Sequence, residues 1–133
     1  MSEPKVEHLA VGEWGEGVAT EALKQAGLLI LASRIRFGPR EELDIVARDG
    51  ETLVFVEVKT RRGETFGRPA DFEDRKKRQV LSRAAVRYLA RTPSPRVSFR
   101  FDVIEIVGAP GDEPEIRHIE NAFSLDRRYM LPC

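Results

Sequence analysis

The sequence predicts an α/β domain, a mixed central sheet flanked by helices. Three observations predict it. The chain has 133 residues, enough for one core but not a second. Two segments repeat apolar residues at helical spacing. Five strand-like runs accompany them, in the order helix, three strands, helix, strand, strand. Hydrophobic residues make up 41%, which suffices for a core, and the charged share of 33% implies a heavily charged surface.

Residues 1–10 read as a loose tail, and residues 11–133 as a single domain. A helix is expected from Glu13 to Ala26, where Trp14, Val18, Ala19, Ala22, Leu23 and Ala26 fall on one side and Gly27 stops it. Leu28 to Phe37 reads as a buried strand with a basic end, Arg34 and Arg36, broken by Gly38-Pro39. Leu43 to Arg48 and Thr52 to Thr60 are strand-like, and Asp49-Gly50 between them signals a hairpin. After a polar loop over 61–71, a basic helix is expected from Phe72 to Ala90, with the stripe Val80, Leu81, Ala84, Ala85, Tyr88 and Leu89. Pro93 and Pro95 end it. Val97 to Val107 alternates as a strand, and Glu115 to Ala122 makes a last, short one.

The hairpin carries the chemistry. With Asp49 and Gly50 as loop residues, Arg48 faces Glu51, and Asp44 lies opposite Phe55 and diagonal to Glu57. Phe55, Glu57 and Lys59 then share the face of Asp44. Leu43, Ile45 and Ala47 meet Val54, Val56 and Val58 on a dry face. Two carboxylates about 4 Å apart at an effective dielectric of 20 repel by roughly 4 kcal/mol. One of them holds a proton, or Lys59 neutralises them, or a cation sits between them. Converging hard oxygens suit Mg²⁺ or Mn²⁺, and a divalent ion beside a lysine suits phosphoryl chemistry. A bare Glu-x-Lys would be a surface ion pair. The preceding Asp, the shared parity and the valine-rich strand strengthen it.

The pattern resembles the UPF0102 (YraN-like) family of small bacterial proteins. The resemblance rests on Gly12-x-x-Gly15-Glu16-x-x-Ala19, Glu42-Leu43-Asp44-Ile45-Val46-Ala47, Val54-Phe55-Val56-Glu57-Val58-Lys59-Thr60-Arg61, Phe66-Gly67, the basic helix through Tyr88-Leu89, Phe101-Asp102-Val103-Ile104 and Asn121-Ala122-Phe123. That family looks like the restriction-endonuclease-like PD-(D/E)xK nucleases, most nearly the Holliday-junction resolvases. The resemblance implies a restriction-endonuclease-like fold, Asp44 and Glu57 as metal ligands, Lys59 as the catalytic lysine and Glu16 as an outer carboxylate reaching the metal directly or through water. One departure is Glu41, where the family usually has Gly; Glu41 and Glu42 are expected to be exposed.

Net charge is zero, but Lys59 to Arg100 holds thirteen basic residues against four acidic ones, an excess of nine. Arg34, Arg36, Arg61, Arg62, Arg68, Lys76 and Lys77 would ring the site and hold a nucleic-acid backbone without reading sequence. DNA is the expected partner, and a homodimer would handle two-stranded or branched forms. Asp102 is expected to make a structural hydrogen bond, and His8 and His118 lack ligand spacing. The longest apolar run, Leu28 to Ala32, is too short to cross a bilayer, residues 1–10 do not read as a signal peptide, and the one cysteine, Cys133, suits a reducing cytoplasm. The expected function is Mg²⁺- or Mn²⁺-dependent hydrolysis of DNA. A non-catalytic nucleic-acid-binding module and a protein-interaction adaptor are the alternatives.

Overall fold

The computed structural model describes residues 4–62, 75–92 and 97–129. The elements are α1 (Pro4–Gln25), β1 (Leu29–Arg36), β2 (Glu42–Asp49), β3 (Thr52–Arg61), α2 (Arg75–Ala90), β4 (Phe99–Val107) and β5 (Glu115–Phe123), followed by a 3₁₀ turn, Arg127–Tyr129. Their order is the one the sequence predicts. The five strands form one sheet in the order β1-β2-β3-β4-β5. β3 and β4 are parallel, joined through α2, and the other neighbours are antiparallel. The sheet is therefore mixed and its two faces carry one helix each, an architecture compatible with a restriction-endonuclease-like fold.

Each helix lies where its apolar stripe dictates. Ala19 and Leu23 of α1 pack on Ile45, Ala47, Val54, Val56, Ile104 and Ile106. Leu81, Ala84 and Ala85 of α2 pack on the opposite face, against Leu43, Val46, Leu53, Phe55 and Phe101. Phe101 stacks on Phe123 at 4.7 Å between ring centroids. α1 ends in a Schellman motif: Gly27, at φ +93°, donates its N–H to the Lys24 carbonyl and Leu28 donates to that of Leu23.

Four expectations need correction. α1 begins at Pro4 rather than Glu13, so it takes in most of the stretch read as a tail. β1 is not buried: Leu29 and Leu31 are 52% and 40% exposed, because β1 is the sheet edge. The hairpin loop is Gly50-Glu51, since Asp49 pairs with Thr52. Gly50 has φ +60° and Glu51 does not share that sign, the demand of a type II′ turn rather than I′. Finally, Glu41 is buried. Its carboxylate lies 3.3 Å from Arg83 Nη1 and 3.0 Å from Arg87 Nη1, so α2 clamps the entry to β2 through it.

Asp102 ties β4 to β5. The strands lose register between Phe101 and Val103, and Asn121 takes up the slip at φ +52°. The fully buried Asp102 carboxylate accepts the Asn121 N–H at 2.9 Å and lies 2.8 Å from His118 Nε2. It also accepts two Arg100 N–H groups. Burial pushes this carboxyl up, but the His118, Arg100 and Asn121 hydrogen bonds outweigh burial and hold it below the ordinary range. A lowered carboxyl contributes stability that is complete above the unfolded value near 4 and lost as pH falls through the folded value. Asp102→Asn should cost about 1–2 kcal/mol at pH 7 and flatten the acid limb of urea midpoints below pH 4.

Candidate functional site

The corrected hairpin register sets the two central acids level across the strands, where the simple turn reading set them diagonal. Ile45 pairs with Val56, so the next step along the strands sets Asp44 level with Glu57. The recorded pairing stops at Ile45. There the Asp44 carboxylate, not a ladder carbonyl, accepts the Val58 N–H at 2.9 Å. The strands fork at this point, and the in-out alternation of β2 breaks with it. Leu43 packs with Val46 on the α2 face, whereas the sequence pattern set it beside Ile45 and Ala47 on the other.

Asp44 consequently opens towards α1, on the side of Val58 and Thr60, and does not share the face of Glu57 and Lys59 as strand alternation predicts; the broken alternation at Leu43 and Asp44 is the reason. It lines a hollow of about 280 Å³ with Val11, Gly12, Glu16, Val58 and Thr60. Two larger hollows, around Trp14 and Ile116 and around Leu31 and Tyr88, bring no two acids together. Burial pushes the Asp44 carboxyl up to about 6, and the charges of Glu57, Glu16 and Glu42 add to it against the Val58 hydrogen bond.

Glu57 approaches the fork from the α2 side, lining the packed interior with Leu43, Phe55 and Leu81. Its side chain is 8% exposed, and Oε1 lies 3.0 Å from Lys77 Nζ. The second oxygen, Oε2, is buried without a hydrogen-bond partner among the described residues. Burial pulls the Lys77 ammonium down, but Glu57, Asp44 and Glu42 outweigh it, so it stays firmly charged. Neutralisation by Lys59 is one of three ways to relieve the acids; the cation that pairs with Glu57 is Lys77 of α2. Lys59 lies two positions beyond Glu57, half-buried, level with Glu105 of β4.

Glu16 is the third acid, delivered by α1. Gly15 allows the helix this close, because a Cβ there would lie 2.0 Å from Thr60 Oγ1. The Glu16 carboxylate accepts the Nε–H of Arg34. Among the described residues, no three His, Cys, Asp or Glu side chains gather into a ready-made metal centre. The proposed set of Asp44, Glu57 and Glu16 is thus adjacent but not assembled.

The ring of cations is partly engaged already. Arg34, Arg36 and Lys77 neutralise Glu16, Glu42 and Glu57 of the chain itself. Arg61 is half-buried at the end of β3, and Arg62 and Lys76 are exposed. Arg68 lies outside the described residues. Sequence reasoning missed Glu105, fully buried and 2.7 Å from Arg117. The visible signal was an acid inside the apolar run Val103-Ile104-Glu105-Ile106.

The family model described as "Uncharacterised protein family UPF0102" matches residues 15–106, which span α1 to β4 and include Glu16, Asp44, Glu57 and Lys59. A UPF0102 protein of Syntrophotalea carbinolica is 45% identical over 120 residues, covering 90% of this chain and 96% of its own length. One of Nocardia farcinica is 44% identical over 116 residues, covering 86% and 89%. One of Symbiobacterium thermophilum is 45% identical over 113 residues, covering 85% and 95%.

Proposed function

Starting from a chain that belongs to the UPF0102 family, we propose a metal-dependent nuclease that hydrolyses DNA phosphodiester bonds. One observation carries this reading. At the fork of β2 and β3 a buried carboxylate oxygen, Glu57 Oε2, is left without a hydrogen-bond partner among the described residues, and the part-buried Asp44 carboxylate is near enough for the Glu57 charge to push its pKa up. An orphaned anionic oxygen is costly, and a shared cation relieves it.

The donor set fits Mg²⁺ or Mn²⁺, which favour carboxylate oxygens and retain waters. Asp44 and Glu57 would hold the ion, and Glu16 would join them directly or through water. When bound, the ion would polarise the phosphate and lower the pKa of a water. The Val58 amide fixes the Asp44 carboxylate in place, which preorganises one ligand. Lys59, on the same strand as Glu57, would hold the attacking water and balance developing negative charge. Arg61, Arg62, Arg68 and Lys76 would grip the sugar-phosphate backbone without base readout, which favours structure-dependent substrates such as branched DNA. A homodimer would present two such sites to two strands. No helix among the described residues is long and apolar enough to cross a membrane.

The test is a panel of linear, flap and four-way DNAs incubated with Mn²⁺. Cutting by the wild type is expected, with loss of more than about a hundredfold in Glu57→Gln and retained binding of DNA. Salt-dependent binding without any cutting would replace the enzyme with a binding module on the same scaffold. Absence of DNA binding at low salt would favour a protein-interaction adaptor.

A further inference from the structure

Arg34 has an unusual backbone for a strand residue. Its φ is +51°, inside β1. An arginine rarely occupies the left-handed region, which costs of order 1 kcal/mol and persists only where surrounding contacts fix it. Ser33 pairs with Ile45 and Ile35 with Leu43, so Arg34 is bracketed opposite Asp44. From there its guanidinium reaches α1 and donates to the Glu16 carboxylate, with the Arg34 side chain 49% exposed and that of Glu16 25%. Glu16 and Asp44 line the same hollow.

We infer that Arg34 is a latch on Glu16, holding that carboxylate away from the metal until a phosphate of the substrate backbone takes the guanidinium. The inference rests on the metal-site reading above. It gives a reason why Glu16 does not join the other two acids: Arg34 engages it, as Lys77 engages Glu57. A guanidinium pairs with a phosphate as well as with a carboxylate, so the exchange trades one charge-assisted pair for another. Arg34 is half-exposed and faces the site from the sheet edge, where a backbone phosphate can reach it. Once released, Glu16 completes the ligand set. Metal loading and substrate engagement are thereby coupled through one side chain, and Arg34 acts as a positioning residue.

The experiment is calorimetric titration of Mn²⁺ into the wild type, Arg34→Gly, Arg34→Gln, Glu16→Gln, the two Arg34/Glu16 double variants and Asp44→Asn. Glycine adopts φ +51° freely, and glutamine keeps the length of the side chain if the glycine variant folds poorly. With the latch removed, Mn²⁺ should bind about two- to fivefold tighter, the range expected for one partly exposed ion pair. In the Glu16→Gln background the same Arg34 changes should have no effect. An equal gain in that background would overturn the latch, leaving only the field of a lost cation. Wild-type affinity in both Arg34 variants, with binding still lost in Asp44→Asn, would overturn the latch and leave the metal site standing. No Mn²⁺ binding by the wild type would remove the metal site and the latch with it.

Discussion

Asp44→Asn should make the metal-free protein more stable at neutral pH while removing its metal binding. The cause is burial. The Asp44 carboxyl sits at about 6, against 3.8 in the unfolded chain, because burial and then the neighbouring Glu57, Glu16 and Glu42 charges disfavour its ionised form. The folded state therefore binds this proton more tightly than the unfolded state. The favourable contribution is complete below about pH 4 and is lost as pH rises through about 6. Above that, an ionised Asp44 costs at most about 3 kcal/mol, the free energy of a shift of roughly two pKa units. Asparagine removes the charge and keeps an oxygen to accept the Val58 N–H, so the fork between β2 and β3 retains its hydrogen bond.

The measurement is urea unfolding of both proteins at pH 4 and pH 8 without metal. The two should be nearly equal at pH 4 and separated at pH 8 by up to about 3 kcal/mol in favour of the variant. With Mn²⁺ added, only the wild type should gain stability, since ligand binding to the native state alone raises its unfolding free energy. An Asp44→Asn protein less stable than wild type at pH 8 would mean that the carboxylate ionises without cost. The idea of a site held poised for a cation would then fail. The expected gain is the usual signature of a functional position: the residue is retained for what it binds, against the stability of the empty fold.

What the sequence made legible, and what it did not, divides along a physical line. Properties carried by period and punctuation were readable. The stripe Leu81, Ala84, Ala85 identified the inner face of α2, and the alternation in Thr52–Arg61 set Phe55 and Glu57 on one side and Val54 and Val56 on the other. Properties decided by tertiary partners were not. Asp49-Gly50 announced a turn, but a positive φ at Gly50 suits two adjacent residue pairs, and Asp49, which pairs with Thr52 without a positive φ, makes the later one the loop. An apolar run cannot say whether a neighbour will cover it, so β1 read as buried although it is an edge. At Asp44 a side chain replaces a backbone acceptor, which interrupts the period-two pattern without any change in composition. Glu41 reads as exposed because acids usually are, and only the arrival of Arg83 and Arg87 from α2, more than forty positions later in the chain, makes its burial tolerable. The candidate site lies in that second group. Its residue types were visible, but its pairings were not: Lys77 with Glu57, and Arg34 with Glu16.

Gly15→Ala should be among the most damaging single substitutions in the chain, although alanine is the better helix former. At an exposed helical position that change would stabilise by up to about 1 kcal/mol. At Gly15 the added Cβ would stand 2.0 Å from Thr60 Oγ1 and 3.1 Å from both Thr60 Cβ and Cγ2. Rotating the Thr60 side chain can turn its Hβ into the place of Oγ1, but Thr60 Cβ stays at 3.1 Å and a branch atom remains next to it, in a side chain with few χ1 alternatives. Helix and strand must therefore separate. Overpacking of this kind costs about 1–3 kcal/mol, and the displacement also lifts Glu16 away from Asp44 across the hollow that they line. The expected result is a urea midpoint lowered by the equivalent of about 2–3 kcal/mol, together with weaker Mn²⁺ binding. Thr60→Ala should recover part of both losses in the double variant, since it removes the two branching atoms and leaves only the 3.1 Å approach to Cβ. Thr60→Ala alone should cost little, so the recovery reads as coupling between the two positions rather than as two independent effects. A Gly15→Ala protein as stable as wild type would show that α1 can ride higher on β3. In that case Glu16 would not depend on the close approach for its place beside Asp44.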